Sequence, residues 1–235
     1  MEKIADAFST ALMLLVTFDA DMVEIVVLSL SVSFSAVMLA ALVGLPFGAF
    51  VAIARFPGRG AVIALLNALM GLPPVVVGLV VYLMLSRSGP LGFLGWLFTP
   101  TAMVVAQFAL ITPLVAALSR QAIQDLWEEY HELLRSLDVR LGAMVATLIW
   151  DGRYRLLTTL LAGYGRAIAE VGAVIIVGGN IAHVTRVMTT AIALETSKGD
   201  LALALGLGIV LLLISLLVNT AAALSGRSTQ GAPVQ

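Results

Sequence analysis

Residues 25–54 read IVVLSLSVSFSAVMLAALVGLPFGAFVAIA and contain no Asp, Glu, Lys or Arg. An α-helix needs about 20 apolar residues to cross the hydrocarbon core of a bilayer, so this stretch predicts a transmembrane helix. Two more uncharged stretches occupy residues 60–86 and 201–226. The whole chain is 60% hydrophobic and 11% charged, with a mean hydropathy of +1.06. Soluble domains carry about 25% charged residues, so this composition predicts an integral membrane protein.

Two further spans are predicted from less regular stretches. The uncharged run 88–119 begins with Ser-Gly-Pro and contains Pro100, which restricts its span to about residues 101–119. The other span carries Arg166 and Glu170, and charges inside a span are costly unless they are paired or face water. We therefore predict an all-α membrane protein with five transmembrane helices, at about residues 25–54, 60–86, 101–119, 156–177 and 201–224.

The two ends of the chain are predicted to lie outside the spans. Residues 7–18 are apolar but too few to cross a bilayer, and no small-x-small cleavage site follows them. We expect residues 1–21 to form an interfacial segment with a short, uncleaved helix. Residues 22–224 then form the transmembrane domain, and residues 225–235 a disordered cytoplasmic tail.

The distribution of basic residues predicts the orientation, since cytoplasmic loops are enriched in Lys and Arg. If the loop at residues 54–60 is cytoplasmic, eight basic residues lie inside, namely Arg55, Arg59, Arg120, Arg135, Arg140, Arg153, Arg155 and Arg227. Four lie on the other side, namely Lys3, Arg87, Arg186 and Lys198. We expect the N-terminus outside and the C-terminus inside.

The loop at residues 120–155 is the most strongly charged part of the chain. Apolar residues recur in its first half every three or four positions, which predicts an amphipathic helix, at Ile123, Leu126, Tyr130, Leu133 and Leu137. A more apolar segment, residues 141–150, predicts a second short helix. The pair is either a solvated hairpin that closes the gap between two spans or a docking element for a partner.

Composition also excludes several function classes. The chain has no Cys, so disulfides, thiolate metal sites and thiol nucleophiles are absent. The two histidines, His131 and His183, form no recognisable metal motif and are interpreted as surface residues. A net charge of −1 argues against nucleic-acid binding. No phosphate-binding G-x-x-x-x-G-K-[ST] motif occurs, so we expect no enzyme here, and any nucleotide hydrolysis must be done by another chain.

Several motifs resemble the permease subunits of type I ABC importers. Residues 132–138 (ELLRSLD) are similar to the family's EAA loop, although Leu133 and Leu134 replace its alanines and Asp138 its glycine. Six stretches look like the tungstate and molybdate permeases, at residues 56–59, 67–79, 86–92, 99–103, 165–173 and 177–181. Residues 185–199 (TRVMTTAIALETSKG) are most like the tungstate branch.

This resemblance implies a homodimer in a prokaryotic cytoplasmic membrane, which encloses one oxyanion pathway. It also implies an ATPase subunit bound to each EAA loop, which holds ATP and Mg²⁺, and an extracytoplasmic binding protein. This chain itself would hold no cofactor. Trp127 and Tyr130 are our own candidates for buried anchors, because aromatic residues dominate such contacts. The predicted coupling residues are Trp127, Tyr130, Glu132, Leu133, Leu134 and Asp138.

A second group of residues concerns the pathway. Arg166 and Glu170 are four residues apart and share one helix face. They are either a structural ion pair or part of the pathway, where Arg166 would contact a tetrahedral dianion. Gly178 and Gly179 predict the end of a helix. A polar outer vestibule, or an ordinary loop, would then be formed by Asn180, Thr185, Arg186, Thr189 and Thr190.

Three alternatives remain open at this point. A molybdate or sulfate permease of the same superfamily is the closest. A secondary anion transporter would suit Arg166 and Glu170 but would leave the charged loop unexplained, and internal repeats are not evident.

Pro73 and Pro74 lie within one predicted span, where they break the helix as either a tolerated kink or a gate hinge.

The predicted orientation can be tested by labelling single cysteines in intact cells, because the chain has no Cys background. We expect an impermeant reagent to label a cysteine at Ser9 and not one at Ser228. Labelling of position 228 alone would show that the orientation is opposite to the predicted one.

Overall fold

The described part of the chain consists of α-helices and connecting turns, with no strand among these residues. The computed structural model describes residues 9–13, 16, 17 and 19–227. Its main helices are α1 (Ala20–Ile53), α2 (Arg59–Met70), α3 (Pro74–Leu85), α4 (Pro100–Ser136), α5 (Leu141–Asp151), α6 (Arg153–Ile168), α7 (Gly172–Gly178), α8 (Met188–Lys198) and α9 (Leu201–Arg227). The predicted all-α class is therefore confirmed.

Three of the described helices are long and apolar enough to cross a membrane by themselves, namely α1, α4 and α9. The pairs α2–α3 and α6–α7 each pass the same test together but are bent at a short break. Counting each bent pair as one span gives up to five, so the five-span count stays a prediction. The apolar helices nevertheless define an integral membrane protein.

The predicted span at residues 60–86 consists of two helices. Helix α2 ends at Met70, where the Gly71 N–H donates to the carbonyl of Ala68 at 3.1 Å. Pro73 is extended, and α3 begins at Pro74. Proline has no N–H and disfavours a helical conformation in the residue before it, so one helix cannot run through this pair.

The predicted span at residues 156–177 also contains a break. Helix α6 ends at Ile168 and α7 begins at Gly172. The Ala173 N–H donates to the Glu170 side chain at 3.2 Å, which replaces a backbone acceptor at the start of α7. Helix α7 ends at Gly178 as predicted, and Gly179 has a φ of 72°, which glycine adopts without strain.

Helix α4 continues beyond residue 119, where the sequence analysis placed the end of the third span. It runs from Pro100 to Ser136, so the first predicted helix of the charged loop is continuous with the helix of the third predicted span. The reason is local, since no Gly or Pro lies in residues 114–141 to interrupt helical hydrogen bonding. The second predicted helix is confirmed as α5.

The predicted terminal segments lie largely outside the described residues. Within the interfacial segment at residues 1–21, positions 9–13, 16, 17, 20 and 21 are helical. Helix α9 continues to Arg227, and the remainder of the predicted tail, residues 228–235, is outside the described part.

Contacts divide the chain into two units. The first comprises Met1–Ala36, Pro73–Gln107 and Arg166–Leu217, and the second comprises Val37–Leu72, Phe108–Gly165 and Val218–Gln235. In the first unit α3 packs against α7. A Cβ atom at Gly78 would lie 2.7 Å from the Ala173 Cα, so this approach requires glycine.

The second unit is built around an apolar cluster that joins the end of α1 to α4, α5 and α6. We call it the knob cluster. Its buried members are Ala49, Ala52, Ile53, Ile123, Leu126, Trp127, Leu134, Met144, Leu148 and Leu156. Burial of such side chains contributes about 1.5–3 kcal/mol each for the larger ones, so this cluster fixes the position of α5.

Candidate functional site

Arg166 and Glu170 form the ion pair that their spacing predicts. Arg166 Nη1 lies 3.3 Å from Glu170 Oε2, at the end of α6 and in the α6–α7 break. The two side chains differ strongly in exposure, at 46% for Arg166 and 5% for Glu170. The carboxylate is therefore enclosed, whereas nearly half of the Arg166 side chain lies at the surface of the chain.

Glu170 is held by contacts besides the ion pair. Its Oε1 accepts the hydrogen bond of the Ala173 N–H, and its backbone carbonyl accepts one from Thr189 Oγ1 at 2.8 Å. Thr189 is itself buried, on α8. Because the side chain and the carbonyl are both bound, the position of Glu170 is set by α7 and α8 together.

Gln107 supports the same break from α4. Its Nε2 donates to the Ala167 carbonyl at 3.0 Å, and that carbonyl also accepts from the Glu170 N–H at 3.2 Å. Ser29 on α1 accepts from the Met188 N–H at 2.8 Å, which satisfies the first turn of α8. A cavity of about 10 Å³ lies between these groups, lined by Ser29, Val32, Ser33, Gln107, Ile168, Glu170, Val187 and Thr189.

In the segment after Gly179, several of the polar residues proposed for an outer vestibule or an ordinary loop bond to the chain's own backbone. Thr185 is buried and donates to the Gly178 carbonyl at 2.6 Å, while Thr190 is buried and bonds to the backbone of Val187. Asn180 donates to the Thr190 carbonyl at 3.2 Å. These polar groups hold the backbone of the first unit, because a buried polar group without a partner costs free energy.

Arg186 is turned toward α8. Its Nη1 lies 3.9 Å from Glu195 Oε1, which Lys198 also contacts at 3.0 Å. Glu195 is buried, and this charge in the first unit was not singled out from the sequence. A buried carboxylate needs such partners, so Arg186 has a structural contact whatever its further role.

His183 is exposed, as interpreted from the sequence, but it is paired. Its Nδ1 lies 2.9 Å from Glu24 Oε2. The hydrogen bond to Glu24 and the charges of Glu24 and Asp21 raise the pKa of His183 above its ordinary value. Since the pKa is raised, the charged contact is present below the ordinary pKa and is lost as the pH rises through the raised one.

The predicted coupling residues divide into two sets in the second unit. Trp127, at 9% exposed, and Leu134 belong to the knob cluster, and Tyr130 packs against it. Glu132 and Leu133 are exposed on the same helix, and Leu133 is 58% exposed although it shares the predicted apolar stripe with the buried Leu126. Asp138 is exposed in the turn after α4, with a φ of 48°.

Sequence reasoning missed Gln107, Ser29 and Ser33 because single polar residues in apolar helices carry no motif. All three are buried in the first unit near Glu170. Their polarity inside predicted spans was the signal that could have identified them, since buried polar groups need partners. The contacts of Gln107 with Ala167 and of Ser29 with Met188 could not be read from the sequence, because each joins two different helices or helix ends.

Comparisons with known proteins agree with this architecture. The chain is 42% identical over 219 residues to the tungstate uptake system permease protein TupB of Peptoclostridium acidaminophilum, a match covering 93% of this chain and 96% of that protein. It is 31% identical over 227 residues to the molybdenum transport system permease protein ModB of Escherichia coli (strain K12), covering 83% and 91%. No protein-family model matches.

The fold has a counterpart among solved structures. The crystal structure of an amino acid ABC transporter with histidines superposes with a TM-score of 0.65, at 19% identity, covering 91% of this chain and 96% of that one. Fold and relatives together define a permease of the ABC transporter class. Within that class, the chain belongs to the family that contains the tungstate uptake system permeases.

The contacts of Glu170 predict the effect of replacing Thr189 by Val. The variant keeps the shape of the side chain but leaves the Glu170 carbonyl without its Thr189 donor, so we expect a loss of about 1–3 kcal/mol of stability. Thermal unfolding of the purified protein measures this. Thr112→Val is the matched control, because Thr112 donates to the Phe108 carbonyl within α4, where the helix already supplies a donor. Equal effects of the two variants would contradict this role of Thr189.

Proposed function

We propose that this chain is the membrane-spanning subunit of an ABC importer for tungstate. The observation that carries this proposal is the 42% identity to a tungstate uptake permease over nearly the full length of both proteins. A homodimer would enclose the pathway, with the N-terminus of each subunit outside. A separate ATPase would bind and hydrolyse ATP with Mg²⁺, and a binding protein outside would deliver the oxyanion.

Molybdate is the second candidate substrate, because a relative at 31% identity is named a molybdenum permease. Both ions are tetrahedral dianions, so the same donors would serve either. We favour tungstate because the tungstate relative is more similar and matches more of the chain. Sulfate is a further dianion of the same shape.

Arg166 is the side chain of the first unit that we propose for contact with the passing anion. It is half-exposed, and a guanidinium has five N–H donors, of which one bonds to Glu170. It can therefore contact a dianion while it keeps its bond to Glu170. Glu170 is fixed by Ala173 and Thr189, so it would hold the guanidinium in place between transport cycles.

The outward face of α4 near residue 132 is the surface that we propose for docking the ATPase. It presents Glu132 and Leu133 on a helix that packs in the knob cluster, and Leu137 in the turn directly after that helix. A helix with exposed apolar side chains beside acidic ones suits binding in a groove of a partner. Trp127 and Leu134 are packed within the unit, so their contribution to docking would come through the position of the helix.

Transport assays test the function. Cells that express the chain with its ATPase and binding protein should take up tungstate, and excess molybdate should compete better than sulfate. Arg166→Lys keeps a cation beside Glu170 and leaves the hydrogen bonds of Glu170 with Ala173 and Thr189 in place, so it should retain a folded protein that binds the ATPase. It should reduce uptake about ten-fold or more, since the ammonium lacks the planar set of donors of the guanidinium and hydrogen bonds to charged groups contribute about 1.5–3 kcal/mol.

Two results would contradict these assignments separately. If the parent cells take up molybdate or sulfate but not tungstate, the substrate is wrong and the permease role stands. If the Arg166→Lys protein transports tungstate normally, the pathway does not need the guanidinium, and Arg166 and Glu170 are a structural ion pair.

Docking is tested by charge reversal at Glu132. Glu132→Lys should weaken co-purification of the ATPase about ten-fold or more, as expected for a central contact, and leave thermal stability unchanged. Glu129→Lys, on the same helix but outside the EAA resemblance, is the control and should bind normally. Trp127→Ala should instead lower stability by about 3–5 kcal/mol, because it leaves a cavity in the knob cluster. Normal ATPase binding by Glu132→Lys would exclude this surface.

A further inference from the structure

The second unit contains an open groove beside the knob cluster that the proposed function does not use. Its volume is about 410 Å³, within the range of about 300–1,000 Å³ typical of small-molecule sites. The lining comes from the end of α1 and the turn after it, from α4 and from the start of α5. The lining residues are Phe50, Ile53, Ala54, Arg55, Phe56, Trp127, Leu141 and Met144.

The walls of this groove are apolar and largely aromatic. Phe50 and Phe56 stack with their ring centroids 6.1 Å apart and nearly parallel planes. Trp127 contributes a third aromatic ring, held in place by the knob cluster. Phe50 and Leu141 are both more than one-third exposed, so apolar surface remains available to an occupant.

Arg55 is the single charged residue of the lining. It is exposed and, in the part of the chain that the structure describes, makes no hydrogen bond or ion pair. The nearby Arg59 is different, because its guanidinium donates to the carbonyls of Val51 and Ala52 and to Gln124. Arg59 thus caps carbonyl groups at the C-terminal end of α1, whereas the guanidinium of Arg55 is available to bind a ligand.

The position of the groove in the sequence places it at a membrane surface. Helix α1 has no charged residue between Glu24 and its end at Ile53, and the groove begins on its last turn. Arg and aromatic side chains are the residues that anchor helices at the level of the lipid headgroups. An occupant at this level must suit apolar walls and one free positive charge.

We propose that this groove binds one anionic phospholipid. An acyl chain lies against Phe50, Trp127 and Met144, and the headgroup phosphate pairs with Arg55. The apolar walls match the hydrocarbon chain, and the unpaired guanidinium matches the anion, with no acidic side chain in the lining to oppose it. A zwitterionic lipid offers the same hydrocarbon but no net charge, so the site prefers the anionic one.

The lipid site is separate from the surface proposed for the ATPase. Trp127 faces the groove, whereas Glu132 and Leu133 lie on the exposed face of α4. The proposal depends on the chain being a membrane protein and not on which anion it transports. A result against lipid binding would therefore leave the transport function standing.

Trp127 provides the reporter for a direct test. The chain has three Trp, and Trp96→Phe with Trp150→Phe leaves Trp127 as the only one. The full chain is placed in bilayers of phosphatidylcholine that contain increasing fractions of brominated phosphatidylglycerol or brominated phosphatidylcholine. Bromine quenches tryptophan on contact, and protein with Trp127→Phe supplies the background. The same series is repeated with the ATPase bound.

We expect half-maximal quenching by the anionic lipid at about five-fold lower fraction than by the zwitterionic one, because one basic side chain at the surface favours anionic lipid by about this factor. Arg55→Gln should abolish the preference, and the exposed Arg153→Gln, which does not line the groove, should keep it. Circular dichroism confirms that both variants are helical.

Three outcomes would overturn the proposal. Equal quenching by both lipids in the parent chain would show that the groove does not select the anion. A preference for the anionic lipid that persists in Arg55→Gln would show that Arg55 does not bind the headgroup. Absence of quenching would show that protein fills the groove, which is a second copy if the isolated chain is protected and the ATPase if protection appears only in the complex.

Discussion

A backbone polar group inside a bilayer must find its hydrogen-bond partner within the protein, and the first unit depends on this requirement. The helix is interrupted between α6 and α7, so backbone groups there lack the hydrogen bonds of a regular helix. Glu170 supplies an acceptor to the N–H of Ala173, while Gln107 and Thr189 supply donors to the carbonyls of Ala167 and Glu170. These groups come from different helices, so satisfying the break also fixes α4 and α8 against it.

The ion pair of Arg166 and Glu170 follows from that arrangement. Glu170 is needed at the break for its hydrogen bonds, and its buried charge needs a cation. Arg166 supplies the cation and keeps one side exposed. A structural role for the pair and a role in anion passage are therefore compatible, because the carboxylate serves the backbone and the guanidinium has donors to spare.

The second unit is held together by apolar packing. Helix α4 continues past the predicted end of its span, and α5 packs beside it through apolar side chains. Trp127 is central to this packing, which leaves Glu132 and Leu133 displayed on a supported helix. Close packing makes such a surface stiff, so a force applied to it can be passed to the spans.

The sequence by itself determined the membrane class, the all-α fold, the helix end at Gly178 and the pairing of Arg166 with Glu170, because hydropathy, glycine chemistry and four-residue spacing are local properties. It also indicated the family through motifs. Only the tertiary structure decided that Trp127 packs in the knob cluster, that Thr185 and Thr190 are buried, and that Gln107 meets the α6–α7 break. Those facts depend on which helix lies beside which, and contacts between residues far apart in the chain leave no pattern in a single sequence.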